Sequence, residues 1–191
     1  PMTPLVSVIV CTLAEAQRKA SLLRALDSAR TASAQPVHIF AAVNGQRRDP
    51  EVVEALRQMG DVRLVLLEEG SLPRALVAGR RAVDTPFYCC LDDDELLPGA
   101  IDLRLEPLRA NLALDIVTSN GHVCRHGADT LLHQHLDQVA AAPLHALFRE
   151  NWLASCGFLF RSRSVDVHYF EIFLASAECT WMAFQLAPDG N

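Results

Sequence analysis

The sequence predicts an α/β fold with a mostly parallel sheet and helices on both faces. Three observations carry that expectation. Short β-branched runs alternate with amphipathic segments in the order β-α-β-α-β-α-β over residues 5–91. Turn and capping signals bound most of these segments. The chain of 191 residues is 50% hydrophobic and 21% charged, a composition that supports a buried core and excludes collagen-like, low-complexity and disordered classes.

Each element has a local reason. Residues 5–11 hold Val6, Val8, Ile9 and Val10 in one short run, which reads as a strand buried on both sides. From Gln17 to Ser33, Leu22, Leu23, Leu26 and Ala29 recur at helical spacing, with Arg18, Lys19, Arg24 and Arg30 on the other face, and Pro36 ends the segment. Residues 37–43 form a second strand closed by the Asn44-Gly45 turn. Asp49-Pro50-Glu51 starts the next helix, with Asp49 as cap and Pro50 in the first turn; Val52, Leu56 and Met59 share a face, and Gly60-Asp61 stops it. Residues 62–67 are a third strand, 72–83 a third helix and 86–91 a fourth strand.

Later segments carry weaker patterns. Residues 114–119 read as a strand, 131–151 as mainly helical with a break at Pro143, and 181–187 as the core of a last helix. With no internal repeat or linker, residues 1–191 are expected to be a single domain. The closing Pro188-Asp189-Gly190-Asn191 is a turn signal that normally leads into another element, so a continuation of the chain is expected.

Composition narrows the function. Seventeen basic against 23 acidic residues give a net charge of −6, and no run of five Lys or Arg occurs, so binding driven by phosphate neutralisation on nucleic acid is disfavoured. No apolar run approaches the roughly 20 residues that span a bilayer, so no transmembrane segment is expected. Pro1-Met2-Thr3-Pro4 enters the first strand without an export leader. The six cysteines, Cys11, Cys89, Cys90, Cys124, Cys156 and Cys179, lack C-x-x-C spacing, and several sit in apolar runs. They read as reduced thiols, which fits a cytoplasmic location.

The sharpest chemical signal is Asp92-Asp93-Asp94-Glu95 at the end of the fourth strand. Ligands of open α/β sheets bind at the carboxyl ends of strands, and carboxylates gathered there are hard-oxygen ligands for Mg²⁺ or Mn²⁺. The bland alternative is a solvated acidic turn. Like charges packed against a buried strand repel by on the order of a few kcal/mol, which favours a compensating cation.

These residues also carry a resemblance. Residues up to about 110 resemble the family-2 glycosyltransferases of the GT-A (Rossmann-like) fold. Cys11-Thr12-Leu13-Ala14-Glu15 is similar to that family's strand ending in Pro-Thr-Tyr-Asn-Glu, keeping Thr12 and Glu15. Val43-Asn44-Gly45 resembles its Asp-Asp/Asn-Gly-Ser turn, with Val43 where the base-reading Asp stands. Residues 72–79, with Arg74 and Gly79, resemble its Ala-Arg-Asn-x-Gly helix, and residues 91–98 its Asp-x-Asp motif with a trailing Pro. The resemblance implies a nucleotide-diphosphate sugar donor bound by Thr12, Glu15, Asn44, Arg74, Asp92 and Asp93. It also implies a divalent metal, Mg²⁺ or Mn²⁺, ligated by Asp94 with Asp92, and it divides the chain into a donor half, 5–110, and an acceptor half, 111–191.

The second half resembles the family more faintly. Residues 151–161 are similar to an acceptor-side segment ending in a strand and an Arg, and residues 169–179 align with a pattern in which Phe-Asp-Glu precedes Glu-Asp. Phe170 stands where the first Asp belongs, and Cys179 where an inverting enzyme keeps its catalytic base. Glu178 is the remaining candidate base. The alternative is a structural glutamate at a helix start. Arg74 suits a phosphate or base and equally a plain surface position. Trp152 and Trp181 suit either an acceptor sugar or a core. The seven histidines, His122, His126, His133 and His135 among them, do not show zinc-finger spacing.

The expected function is therefore transfer of a sugar from a nucleotide-diphosphate donor to a saccharide or lipid-linked acceptor, with inversion. Two alternatives stay open. One is a nucleotide-binding module of the same ancestry without turnover. The other is a nucleotidyltransferase, which usually has a glycine-rich basic loop after the first strand, whereas residues 11–20 contain no glycine. A glycosidase fits less well, since adjacent acids on one strand end do not flank a glycosidic bond.

Overall fold

A computed structural model of the chain describes residues 3–92, 94–154, 156–171, 182–183 and 185–186. Four strands, β1 (Val6–Thr12), β2 (Val37–Asn44), β3 (Val62–Leu67) and β4 (Phe87–Leu91), are joined in turn by α1 (Lys19–Thr31), α2 (Pro50–Gln58) and α3 (Leu72–Ala82). There follow α4 (Ala100–Ala110), β5 (Ile116–Thr118), β6 (His122–Arg125), β7 (Ala128–Leu131), α5 (Leu136–Ala141), α6 (Pro143–Leu147) and β8 (Phe158–Arg161).

The main sheet has the order β3-β2-β1-β4-β8-β5. The first four strands are parallel, and β8 runs antiparallel to both β4 and β5. Chain order reverses at the β1/β4 boundary, since β2 and β3 lie on one side of β1 and β4 on the other. Such a reversal opens a crevice at the carboxyl ends of the two strands.

Alternation along β1 explains the two layers. Val6, Val8 and Val10 pack with Leu22 and Leu26 of α1, Leu56 of α2 and Ile101 and Leu108 of α4. Ile9 and Cys11 join the opposite layer with Ala75 and Val77 of α3 and with Trp152, Phe158, Phe160 and Phe170. All seven β1 positions are buried, as a strand covered on both faces requires. A β-carbon on Gly79 would sit 2.3 Å from the Ile9 Cγ2, so α3 approaches β1 through a missing side chain.

Three buried arginines fasten the second half of the chain to this core. The Arg80 Nε donates to the Val165 carbonyl at 3.1 Å and its Nη2 to the Ser162 carbonyl at 2.6 Å, while the guanidinium lies 4.5 Å from the Tyr88 ring centroid. Arg161 donates to the carbonyls of Leu108, Asn111 and Leu114. Arg104 donates to the Ser119 Oγ at 2.9 Å and the Cys156 carbonyl at 3.0 Å, and burial holds it below the ordinary guanidinium value. Carbonyl partners give each buried cation the hydrogen bonds that burial makes obligatory.

The helices start where their caps place them. Asp49 accepts from the backbone N–H groups of Glu51 and Val52, and the Ser71 Oγ from that of Arg74. α1 begins at Lys19, two positions later than its apolar spacing predicts, because residues 16–18 form a 3-10 turn. The larger correction concerns residues 131–151, read as mainly helical. Leu131 ends β7, which pairs with β6 in a separate antiparallel hairpin, and two short helices follow. Pro143 breaks the segment as expected, by opening α6 at its first position. The predicted helix at 181–187 falls partly outside the described residues; Met182 is buried and residues 182–183 and 185–186 are helical. No described helix is long and apolar enough to cross a membrane.

Candidate functional site

The site is assembled from the loops that leave the carboxyl ends of β1, β2, β3 and β4. After β1 the chain turns sharply: Ala14 is buried at φ 49°, its N–H donates to the Thr12 Oγ1 at 3.0 Å, and its carbonyl accepts from the Asp49 N–H at 2.8 Å. Thr12 thus shapes the loop through its hydroxyl. Glu15 follows, accepting from the Gln17 Nε2 at 3.0 Å and lying 3.5 Å from the Arg47 Nε.

The loops after β2 and β3 are locked together. Gly45 has φ +86°, and a β-carbon there would meet the Gly70 Cα at 2.8 Å. Only glycine combines that backbone with that approach. Arg48 spans both loops: its Nη1 donates to the carbonyls of Gly45 at 3.1 Å and Leu67 at 2.9 Å, and its Nη2 to the Glu68 Oε1 at 2.8 Å. Asn44 accepts on Oδ1 from the Ser71 N–H, just before α3. Arg74 in the first turn of α3 pairs with Glu69. An open cleft of about 370 Å³ results, walled by Leu13, Asn44 to Arg47, Glu68 and Gly70 to Leu72.

The acidic segment leaves β4 on the other side of β1. Val10 pairs with Leu91, so the next step along both strands sets Asp92 beside Cys11. Burial, reinforced by the Asp92 charge, pushes the Cys11 thiol far above its usual range. Burial and then the charge of Asp94, which also hydrogen-bonds it, push the Cys156 thiol up to about 11. Asp94 is exposed and Asp92 half-buried. Glu95 is drawn away by Arg24, whose Nε donates to it at 2.8 Å.

Among the described residues no group of three or more His, Cys, Asp or Glu side chains is arranged around a metal position. The donor chemistry nevertheless fits Mg²⁺ or Mn²⁺. Such ions take one or two protein carboxylates and complete their shell with water and substrate phosphates. Asp92 and Asp94 offer two hard-oxygen donors of that kind. Asp93 lies outside the described residues.

Of the residues expected at the donor site, Asn44 lines the cleft, Thr12 ends β1 and Glu15 lies on the loop after it, whose Leu13 forms one wall, and Asp92 and Asp94 fall one strand away. Trp152 is buried among core residues that include Phe158 and Phe160, with its Nε1 donating to the Pro143 carbonyl at 2.9 Å. Phe170 is buried against Tyr88 and Phe160, both 6.2 Å away between ring centroids. Glu178, Cys179 and Trp181 lie outside the described residues. Sequence reasoning missed Gln46, Arg47, Arg48 and Glu68. The available signal was an Arg47-Arg48 pair one residue beyond the Asn44-Gly45 turn.

A mostly parallel sheet covered by helices, with polar loops gathered at its carboxyl edge, places the chain in the α/β class, in which that edge is the usual place for ligands. The chain belongs to glycosyl transferase family 2, whose model matches residues 7–170. Among solved structures it is similar to TarS 1-349 of S. aureus, at 16% identity and a TM-score of 0.42 over 55% of this chain and 31% of that one. The same protein in complex with UDP-GlcNAc matches at 17% identity and a TM-score of 0.41, over 55% and 30% of the two chains. The chain thus spans less than a third of the length of those structures. No curated protein matches it.

Proposed function

We propose that the chain is a GT-A-fold glycosyltransferase that binds a nucleoside-diphosphate sugar through a divalent cation and transfers the sugar with inversion to a saccharide or lipid-linked acceptor. The observation that carries this reading is the position of Asp92 and Asp94 at the end of β4, across the reversal of strand order from the β1 loop. Family membership supports the transferase class over the nucleotidyltransferase alternative. Residues 5–110 form the donor half on this reading and residues 111–191 the acceptor half. Free thiols among the described cysteines support action in the cytoplasm.

The ends of β2 and β4 flank β1, about 10 Å apart by two strand spacings. That separation suits a nucleoside in the cleft between the β2 and β3 loops, with its diphosphate at the acidic end of β4. Asp92, Asp93 and Asp94 cannot face a diphosphate without a cation between them. Mg²⁺ or Mn²⁺ bound there by Asp94 and Asp92 would supply neutralisation of the departing nucleoside diphosphate. Thr12 holds the β1 loop, Glu15 and Asn44 border the nucleoside, and Arg74 lies in the turn nearest the cleft. Glu178 takes the proton of the acceptor hydroxyl as its oxygen attacks the anomeric carbon.

A nucleotide-binding module without turnover is the second reading, and buried Phe170, at the position of a family acid, favours it. Single-turnover transfer assays separate the two. A working enzyme loses about 10²- to 10⁴-fold in Glu178→Gln with donor affinity unchanged. A binding module shows no transfer in the wild type with any donor that it binds, and unaltered transfer by Glu178→Gln removes that residue from the mechanism.

A further inference from the structure

The cleft contains a carboxylate that the donor reading leaves without a task. Glu68 lines the cleft, and its Oε1 is held by the Arg48 Nη2 at 2.8 Å. Arg48 is itself fixed by two backbone carbonyls, of Gly45 and Leu67. The exposed carboxylate is therefore oriented by a guanidinium whose Nη1 is held by backbone carbonyls while its Nη2 meets the carboxylate. Beside it stands the Gln46 amide, whose Nε2 lies 3.4 Å from the Glu68 Oε2. Leu13 and Leu72 add apolar surface to the same cleft, and Leu72 is 38% exposed.

We infer that Glu68 and Gln46 read the nucleobase and select guanine, so that the donor is a guanosine-diphosphate sugar. This rests on the donor-site reading above. An ionised carboxylate accepts hydrogen bonds only, and an amide offers a donor beside it. Guanine presents two adjacent N–H donors, N1–H and the N2 amino group, next to the O6 acceptor, which is the complement of carboxylate plus amide. The other bases oppose it. Uracil places a carbonyl on each side of its single N3–H, so a paired carboxylate meets one of those oxygens. Adenine N1 and cytosine N3 are acceptors that face the carboxylate directly. Selection therefore comes from repulsion of the wrong bases as much as from attraction of the right one. Leu13 and Leu72 supply the flat apolar contact that any base accepts. Arg48 acts through Glu68 and is a positioning residue.

The test is calorimetric titration of the wild-type chain with guanosine, uridine, adenosine and cytidine diphosphates in Mn²⁺, repeated with Glu68→Gln and with Glu54→Gln on α2 as a surface control. Guanosine diphosphate binds about tenfold or more tighter than the others, as expected of a bidentate base contact. Glu68→Gln removes that margin by weakening guanosine diphosphate alone, with an unchanged melting temperature in the absence of nucleotide, and Glu54→Gln behaves as wild type. Equal or tighter binding of another diphosphate by the wild type overturns the guanine assignment and leaves the donor reading standing. Guanosine preference that survives Glu68→Gln overturns the role of Glu68. Binding of none of the four overturns the donor reading and this inference with it.

Discussion

The Asn44 Oδ1 accepts a 2.6 Å hydrogen bond from the backbone N–H of Ser71, which joins the end of β2 to the start of α3. The N–H belongs to the residue that caps α3, so the bond sets where the helix begins relative to the cleft. Asn44→Ala leaves that half-buried N–H without its acceptor and lowers stability by about 1 kcal/mol. Asn44→Asp keeps an acceptor and adds a negative charge at a helix N-terminus, so it restores the loss. Urea denaturation of the three proteins measures both effects; equal stability of the Ala and Asp variants would show that the bond has no role.

Phe170 lies where the family pattern has an aspartate, and its ring packs edge-on against Phe160 at 6.2 Å between Tyr88 and β8. Restoring the acid with Phe170→Asp puts an unpaired carboxylate among aromatic rings. The variant is expected to lose on the order of 3 kcal/mol, the scale of large core truncations, and to gain no transfer activity. A fold as stable as wild type by thermal melting, with raised transfer, would show that the position still serves the acceptor site.

Acid sensitivity should be traceable to Asp61. Hydrogen bonding from Arg30, at 2.6 Å, holds its carboxyl below the usual 3.8. A lowered folded value means that the contribution is complete above the unfolded value and is lost as pH falls through the folded one. Asp61 is 53% exposed, so the contribution is under about 1 kcal/mol. Asp61→Asn is expected to be less stable than wild type at about pH 6 and to converge on it only as the pH falls below the folded carboxyl value, by urea midpoints. A gap that persists at low pH would place the effect elsewhere.

Residues 5–91 were legible because their signals are local. β-branched runs, the Asn44-Gly45 turn and the Asp49-Pro50 start each act within a few residues, whereas the strand order is set by packing that no local signal records. The β6–β7 hairpin escaped because β7 is exposed at all four positions, so no apolar alternation marks it. Its only sequence signal is His126-Gly127, and both residues have positive φ, 53° and 79°. The acidic cluster stood out as a run. Glu68 and Arg48 did not, because their contact joins two loops 20 residues apart and leaves no pattern in either.

On the proposed reading a nucleoside diphosphate is held at the end of β4 through a divalent cation. Thermal shift with guanosine or uridine diphosphate, in Mn²⁺ and then in excess chelator, tests it directly on the wild type, Asp94→Asn and, as a control in the exposed hairpin, Asp129→Asn. At a hundred times its dissociation constant the nucleotide adds about 2.7 kcal/mol of stability. That gain is expected only with Mn²⁺, is lost in Asp94→Asn and is kept in Asp129→Asn. Equal stabilisation of the wild type by nucleotide in excess chelator would show that no cation bridges the nucleotide to β4.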